Sequence, residues 1–455
     1  MIHRYQKKGL NFVLDVNSGA VHLLDDISYA VSGLLDENMG DTCPQGIIDA
    51  LPDYTADEIR EAYDELYELK KAGQLFAQDD YIDVSRYIPV NAPVKALCLH
   101  VAHDCNLRCK YCFASTGDFG QGRKIMPPEI AKKAIDFVIA RSGVRHNIEV
   151  DFFGGEPLMA WDTVTQTVDY ARSLEEKYNK KFRFTITTNG LLLDEDKRKY
   201  INENMDNCVL SLDGRREVND EFRKTVAGTG SYDTIVPKFK ALVDERDPNL
   251  DYYARGTFTS HNLDFAEDVL SIADAGFDRL SVEPVTADPG CGYDLTEDDL
   301  PKIEAEYDRL TDIMLERKKE GKPFTFFHFM VDLDQGPCVV KRLRGCGAGY
   351  EYVAVTPDGD IYPCHQFVGQ PEWQMGDVLT GGYNLEMKDR FAHSTVYDKH
   401  DCRTCWAKFY CSGGCNANNQ QYAGDILRSH TLSCELEKKR LECAIMIKAA
   451  EADEE

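Results

Sequence analysis

The stretch AHDCNLRCKYCFAS constrains this chain more than any other. Cys105, Cys109 and Cys112 stand in it with gaps of three and then two residues, and no fourth cysteine follows nearby. Cysteine thiolates bind soft metals, and iron-sulfur clusters take up to four of them. Three thiolates on one tight loop hold three irons of a cubane and leave the fourth iron open to a substrate. A zinc site needs a fourth protein ligand to close its tetrahedron, and nearby His103 is the candidate for it.

The other cysteines point to the same kind of chemistry. There are 16 in 455 residues, and nine lie between Cys338 and Cys443, which marks that end as a separate module. The polar start MIHRYQKKGL holds no apolar run of signal-peptide length, and no stretch reaches bilayer-spanning length. A cytoplasmic address and no membrane partner are expected, and in that compartment clustered thiols are metal or redox ligands rather than disulfides. With 52 basic against 78 acidic residues the formal net charge is −26, which argues against nucleic acid as a partner. Cys43, Cys98, Cys208, Cys291 and Cys443 fit no spacing and read as buried small hydrophobes or surface thiols.

At this length two or three domains are expected. In residues 1–85, NFVLDVNSGAVHLL reads as a β-hairpin around Asn17-Ser18-Gly19. Helical patterns follow at ISYAVSGLL, GIIDAL and TADEIREAYDELYELKKAGQLF, where Thr55 and Glu58 form a capping box and Gly73 a stop. A hairpin plus three helices outlines a winged-helix-like domain. In residues 86–310, six candidate strands alternate with helices: KALCLHVAH, NIEVDFFGG, RFTITTNG, NCVLSLDG, YYARGTFTS and RLSVEPV. Repeated βα units imply an α/β fold, a parallel sheet or barrel whose active face lies at the carboxyl ends of the strands. Residues 311–455 bridge into a stretch poor in regular pattern and rich in Cys, Gly and aromatics, expected to be organised by metal.

The spacing C-x3-C-x-aromatic-C, with Tyr111 as the aromatic, resembles the signature of radical S-adenosylmethionine (SAM) enzymes. The resemblance implies a partial (β/α)6 TIM-like barrel and a 4Fe-4S cluster held by Cys105, Cys109 and Cys112. SAM then chelates the unique iron and is reductively split to a 5′-deoxyadenosyl radical. It further implies that Gly154, Gly155, Glu156 and Pro157 of FFGGEP present acceptors to the SAM ammonium, the glycines allowing close approach of the backbone. Thr188 and Asn189 of TTNG, with Ser211 and Asp213 of SLDG, are placed near the SAM carboxylate and ribose. Arg255 is a candidate fork for the carboxylate, and Val282 of VEPV is expected beside the adenine.

From Cys346 the chain runs C-x12-G-x4-C to Cys364, and later CRTCWAKFYCSGGC supplies Cys402, Cys405, Cys411 and Cys415, with Cys434 beyond. This pattern resembles the SPASM domain, the twin-cluster extension of radical SAM enzymes that modify peptides. It implies two auxiliary 4Fe-4S clusters, three clusters in all: Cys402, Cys405, Cys411 and Cys434 ligate the outer one, and Cys346, Cys364 and Cys415 hold three corners of the inner one. The fourth inner corner is either Cys338 or free for a substrate thiolate. Taken alone, the paired cysteines also suit a zinc ribbon.

The first domain resembles a RiPP recognition element, which binds the leader of a ribosomally made peptide as an added strand. Over its length the chain resembles the maturases of six-cysteine (SCIFF) peptides, which join a cysteine sulfur to a carbon of an acceptor residue as a thioether. The partners implied are a Cys-rich precursor peptide and an electron donor such as flavodoxin or ferredoxin. The rival on the same scaffold is an anaerobic sulfatase maturase, in which an Asp follows the cysteine matching Cys364; here that position is His365. A non-catalytic electron carrier predicts no SAM cleavage, and a DNA-binding redox regulator needs a basic helix. The helix after Thr55 offers only Arg60, Lys70 and Lys71 among many carboxylates.

Overall fold

The computed structural model describes residues 1–86, 92–333 and 339–452. The chain opens on an antiparallel sheet of β1 (Ile2–Lys7), β2 (Leu10–Asp15) and β3 (Val21–Leu24), paired in that order. The β2–β3 hairpin is the one expected around Asn17-Ser18-Gly19; β1, paired to β2, is an additional strand. Its signal is Lys8-Gly9, which take φ of 53° and 76°, the two-residue turn whose twist suits a hairpin.

Three helices follow, α1 (Asp26–Ser32), α2 (Gln45–Ala50) and α3 (Ala56–Lys71). Helix α3 starts at the expected capping box: Glu58 N–H donates to Thr55 Oγ1 (3.3 Å) and Thr55 N–H to Glu58 Oε2 (2.8 Å). Alternation along β2 serves two cores. Val13 packs on α1 and α3 with Val31, Ile59 and Leu66, whereas Phe12 and Leu14 face the C-terminal helix Thr431–Ala452 through Leu441 and Ile445.

The middle of the chain forms six parallel strands hydrogen-bonded in chain order: Ala96–His103, Asn147–Gly154, Lys181–Thr188, Asn207–Ser211, Asp251–Phe258 and Arg279–Pro284. Between them run helices such as Pro128–Arg141 and Trp161–Tyr178, where the apolar periodicity placed them. One face of each strand, with Leu97, Leu99, Val150, Phe152, Phe184 and Ile186, joins the helices in the main core. The other faces inward and is largely polar.

The sheet extends beyond both outer strands of this set, Thr325–Phe326 pairing in parallel with the sixth. Tyr352–Val355 pairs in parallel with the first strand, and antiparallel Asp360–Tyr362, Gly376–Asp377 and Gly382–Tyr383 extend it. These strands are two to four residues long, too short for alternation to show in sequence. The cysteine-rich end is therefore built onto the barrel edge by backbone hydrogen bonds. Among the described residues no helix is long and apolar enough to cross a membrane.

The inward face holds a carboxyl whose ionised form burial disfavours. Burial and the charge of Glu149 push the Asp151 carboxyl up to about 7, against a hydrogen bond from Thr185. A carboxyl raised above its unfolded value stabilises the fold when protonated, and that stability is lost as pH rises through 7. Asp151→Asn is therefore expected to stabilise the protein more at pH 8 than at pH 5, by about 1–3 kcal/mol. Denaturant melts at the two pH values check this; an equal effect at both refutes it.

Candidate functional site

At the carboxyl ends of the six strands lies a cavity of about 230 Å³. The three-cysteine loop forms one wall. Its Leu107–Cys109 segment pairs antiparallel with Arg223–Thr225, which sets Cys109 opposite Arg223. Cys105 accepts from Leu107 N–H (3.3 Å) and Asn189 Nδ2 (3.6 Å).

Of the positions expected from sequence, Cys105, Cys109, Tyr111, Cys112, Gly154, Gly155, Glu156, Pro157, Thr188, Asn189, Ser211 and Arg255 all line this cavity. Two do not. Val282 is fully buried in the core on the helix side, because residues alternate faces along a strand; the cavity wall at that strand end is Glu283, Pro284 and Val285. Asp213 is also fully buried, lying behind Tyr111, whose hydroxyl donates to its two oxygens at 2.8 and 2.6 Å.

The FFGGEP turn is stitched to the cysteine loop. Gly155 N–H donates to Ala102 O (2.7 Å) and Glu156 N–H to Asp104 O (2.9 Å). A Cβ at Gly154 would lie 2.2 Å from Ala102 O, and one at Gly155 would lie 2.2 Å from Asp104 O. The glycines thus admit the neighbouring backbone. Glu156, 1% exposed, accepts from Leu158 N–H (3.0 Å), Thr188 Oγ1 (2.8 Å) and Asn189 N–H (2.7 Å). Its carboxylate ties the second strand end to the third.

The cations differ from expectation. Arg255 is held by Glu283 through Nε–Oε1 (2.9 Å) and Nη2–Oε2 (2.5 Å). Arg223, which no local motif marks, reaches the wall from beneath: it is 8% exposed, donates from Nη1 to Tyr111 Oη (2.8 Å), and stands 3.7 Å from Asp213. Its Nε has no hydrogen-bond partner among the described residues.

Burial pushes the Cys105 thiol up to about 12 and Cys109 to about 11, the latter pulled down by Arg223. Loading a metal must release these protons. Among the described residues no three His, Cys, Asp or Glu side chains converge on a single-ion position, and His103 is turned away, its Nε2 bonded to His100 Nδ1 at 3.1 Å. Three thiols around one cavity, not closing on one point, suit a polynuclear cluster in which each thiolate takes its own iron.

The C-terminal cysteines fall into two neighbourhoods. Cys364 feels the charges of Cys415 and Cys346, whereas Cys411 feels Cys434, Cys402 and Cys405. Cys338 lies outside the described residues. His365, next to Cys364, reaches the cavity wall and packs on Phe153 (5.0 Å) and Phe113 (5.5 Å), and burial keeps its ring neutral with a pKa lowered to about 4.

Residues 99–250 match the radical SAM superfamily, and residues 346–406 match SPASM, an iron-sulfur cluster-binding domain. The chain is an enzyme with a radical SAM domain followed by a SPASM domain. It is 24% identical over 373 residues to the radical SAM cyclopropyl synthase TigE of Paramaledivibacter caminithermalis, covering 77% of this chain and 74% of that one. A cysteine-type anaerobic sulfatase-maturating enzyme of Clostridium novyi is 24% identical over 339 residues, 70% of this chain and 86% of that one. Among solved structures, native anSMEcpe with bound AdoMet and Kp18Cys peptide superposes with a TM-score of 0.65 at 21% identity, over 80% of this chain and all of that one. Streptococcus suis SuiB bound to precursor peptide SuiA gives 0.51 at 17% identity, over 92% and 94%. These two likenesses are of fold. The fold of the barrel and of the C-terminal extension is thus shared with anSMEcpe and SuiB.

Proposed function

We propose that this radical SAM enzyme forms thioether crosslinks in a ribosomally made, cysteine-rich peptide. The observation that carries the reading is the shared wall: His365, adjacent to Cys364 of the inner set, stands in the same cavity lining as Cys105, Cys109 and Cys112. This adjacency supports a peptide sulfur at an open inner corner being joined to a carbon that faces the SAM cavity. A second cavity of about 420 Å³ opens from the same wall, lined by Cys112, Gln366, Gln370, Ala417 and Gln420 among others, and gives a peptide room between barrel and C-terminal module.

When bound, a cluster-ligated SAM supplies a radical strong enough to take hydrogen from an unactivated carbon. The chain's residues position and exclude water. Cys105, Cys109 and Cys112 are the ligands, and Arg223 and Arg255, both in the cavity wall, are the cations available to the SAM carboxylate. Asn189 and Thr188 are fixed by Glu156, and the neutral His365 ring is a hydrogen-bonding group beside the inner site. Cys346, Cys364 and Cys415 hold the inner cluster with one corner for substrate; Cys402, Cys405, Cys411 and Cys434 hold the outer one. An external donor such as flavodoxin or ferredoxin supplies electrons. The N-terminal unit binds the leader as a strand added beside β3, which pairs only with β2 among the described strands.

The test is anaerobic reconstitution with SAM, reductant and a small Cys-rich peptide encoded beside the gene. Mass spectrometry is expected to show a loss of two hydrogens per crosslink and one fewer alkylatable thiol. Loss of SH2 with gain of one oxygen, an aldehyde, would replace this reading with formylglycine formation.

A further inference from the structure

Lys399 stands in the loop before Cys402 and is 1% exposed. Its ammonium donates to Gly413 O (2.6 Å) and Asn416 Oδ1 (2.8 Å), acceptors on either side of Cys415. Its own carbonyl accepts from Cys402 N–H (3.2 Å). The turn Ser412-Gly413-Gly414, with φ of 59°, 86° and 69°, joins Cys411 to Cys415 and folds directly over this side chain. A Cβ on Gly413 would lie 3.0 Å from Lys399 Nζ and 3.1 Å from its Cδ.

No carboxylate pairs with this ammonium among the described residues. The contrast is Lys408, equally buried, whose ammonium meets Asp79 at 2.8 Å. Burying a cation without counter-charge is costly. Burial accordingly lowers the Lys399 pKa, and what opposes this is the charge of Cys402, Cys411, Cys415 and Cys346. These four thiols come from both neighbourhoods, two from each. Bound to iron as thiolates, they become the missing counter-charge on two sides of one ammonium.

We propose that Lys399 is a positioning residue shared by the two C-terminal cysteine sets, a fixed cation between their clusters that favours the reduced form of both. This rests on the reading that these cysteines hold two clusters. An added electron near a buried cation is stabilised by direct attraction in a medium that screens poorly, so one side chain links the two redox centres.

The test is an EPR-monitored redox titration of the reconstituted full chain, comparing wild type with Lys399→Met and Lys399→Arg. Lys399→Met is expected to make both auxiliary clusters harder to reduce, at least one of them tenfold or more, a fall of about 59 mV for one electron, with the SAM-site cluster unmoved. Lys399→Arg should restore it. Lys399→Gln, which keeps an amide donor and loses the charge, decides the matter if Met costs auxiliary iron. Iron lost from Met and Gln but kept by Arg supports the charge role. Auxiliary-cluster reduction equilibria within twofold of wild type, about 18 mV for one electron, in an iron-replete neutral variant overturn it, as does iron loss in Arg equal to that in Met. Wild-type iron well below about twelve per chain, three four-iron clusters, would instead sink the two-cluster reading, and with it the shared cation.

Discussion

Arg223→Met is expected to abolish SAM cleavage, at least 100-fold in 5′-deoxyadenosine formed, and to cost about 3–5 kcal/mol of stability, the toll of breaking one side of a buried charge pair. The guanidinium holds Tyr111 Oη at 2.8 Å and offsets fully buried Asp213. Even with Arg223 in place, burial raises the Asp213 carboxyl to about 6. Without it the pKa climbs further, so the folded variant favours the protonated acid. A carboxyl of raised pKa loses stability as pH rises; the deficit against wild type should therefore be smaller near pH 5.5 than at pH 8. The double variant Arg223→Met with Asp213→Asn separates the two effects. Removing both charges together is often nearly neutral, so melting should largely recover, while nucleoside release, assayed by chromatography, should not. Recovery of both would show that Arg223 acts only on packing.

Much of this site is legible in the sequence because it is local. The cysteine spacing, the GGEP turn and the strand ends each occupy a few contiguous residues, and the strand-helix alternation places them at one end of the barrel. What escapes is what depends on pairing or phase. Arg223 meets Cys109 across a short antiparallel ladder whose strands lie more than a hundred residues apart in the chain, and nothing around FRKT announces it. Val282 and Glu283 differ by one residue, and one residue on a strand is the difference between core and cavity. Arg255 reads as a free fork until Glu283, one strand away, is seen to occupy it. The strand β1 is hidden because four of its six residues, His3, Arg4, Gln6 and Lys7, are polar although only Gln6 is exposed, and the C-terminal hairpins by their brevity. Cysteine motifs foretell the two thiol neighbourhoods; the lysine between them has no motif, since its meaning lies in the turn folded over it.

Gly155→Ala tests the junction that brings these parts together. Gly155 is not held in a left-handed conformation, so the argument is one of space alone. An added methyl would stand 2.2 Å from Asp104 O, 2.6 Å from its carbonyl carbon and 2.9 Å from Gly117 O. All three are backbone atoms, and no rotamer change relieves them. Overpacking of this kind typically costs about 1–3 kcal/mol, well within what a core of this size survives. The damage is therefore expected at the site: moving the turn breaks the bonds from Gly155 to Ala102 and from Glu156 to Asp104, and Asp104 directly precedes Cys105. A displaced Cys105 misplaces one of the three proposed ligands, so the folded variant should retain auxiliary iron, lose the SAM-site cluster signal in EPR, and form 5′-deoxyadenosine at less than one hundredth of the wild-type rate. Gly46→Ala, with nothing within 4 Å of the added carbon, should leave both unchanged. A Gly155→Ala enzyme with full SAM cleavage would mean that the two loops tolerate separation, and that the cysteine loop positions its own cluster unaided.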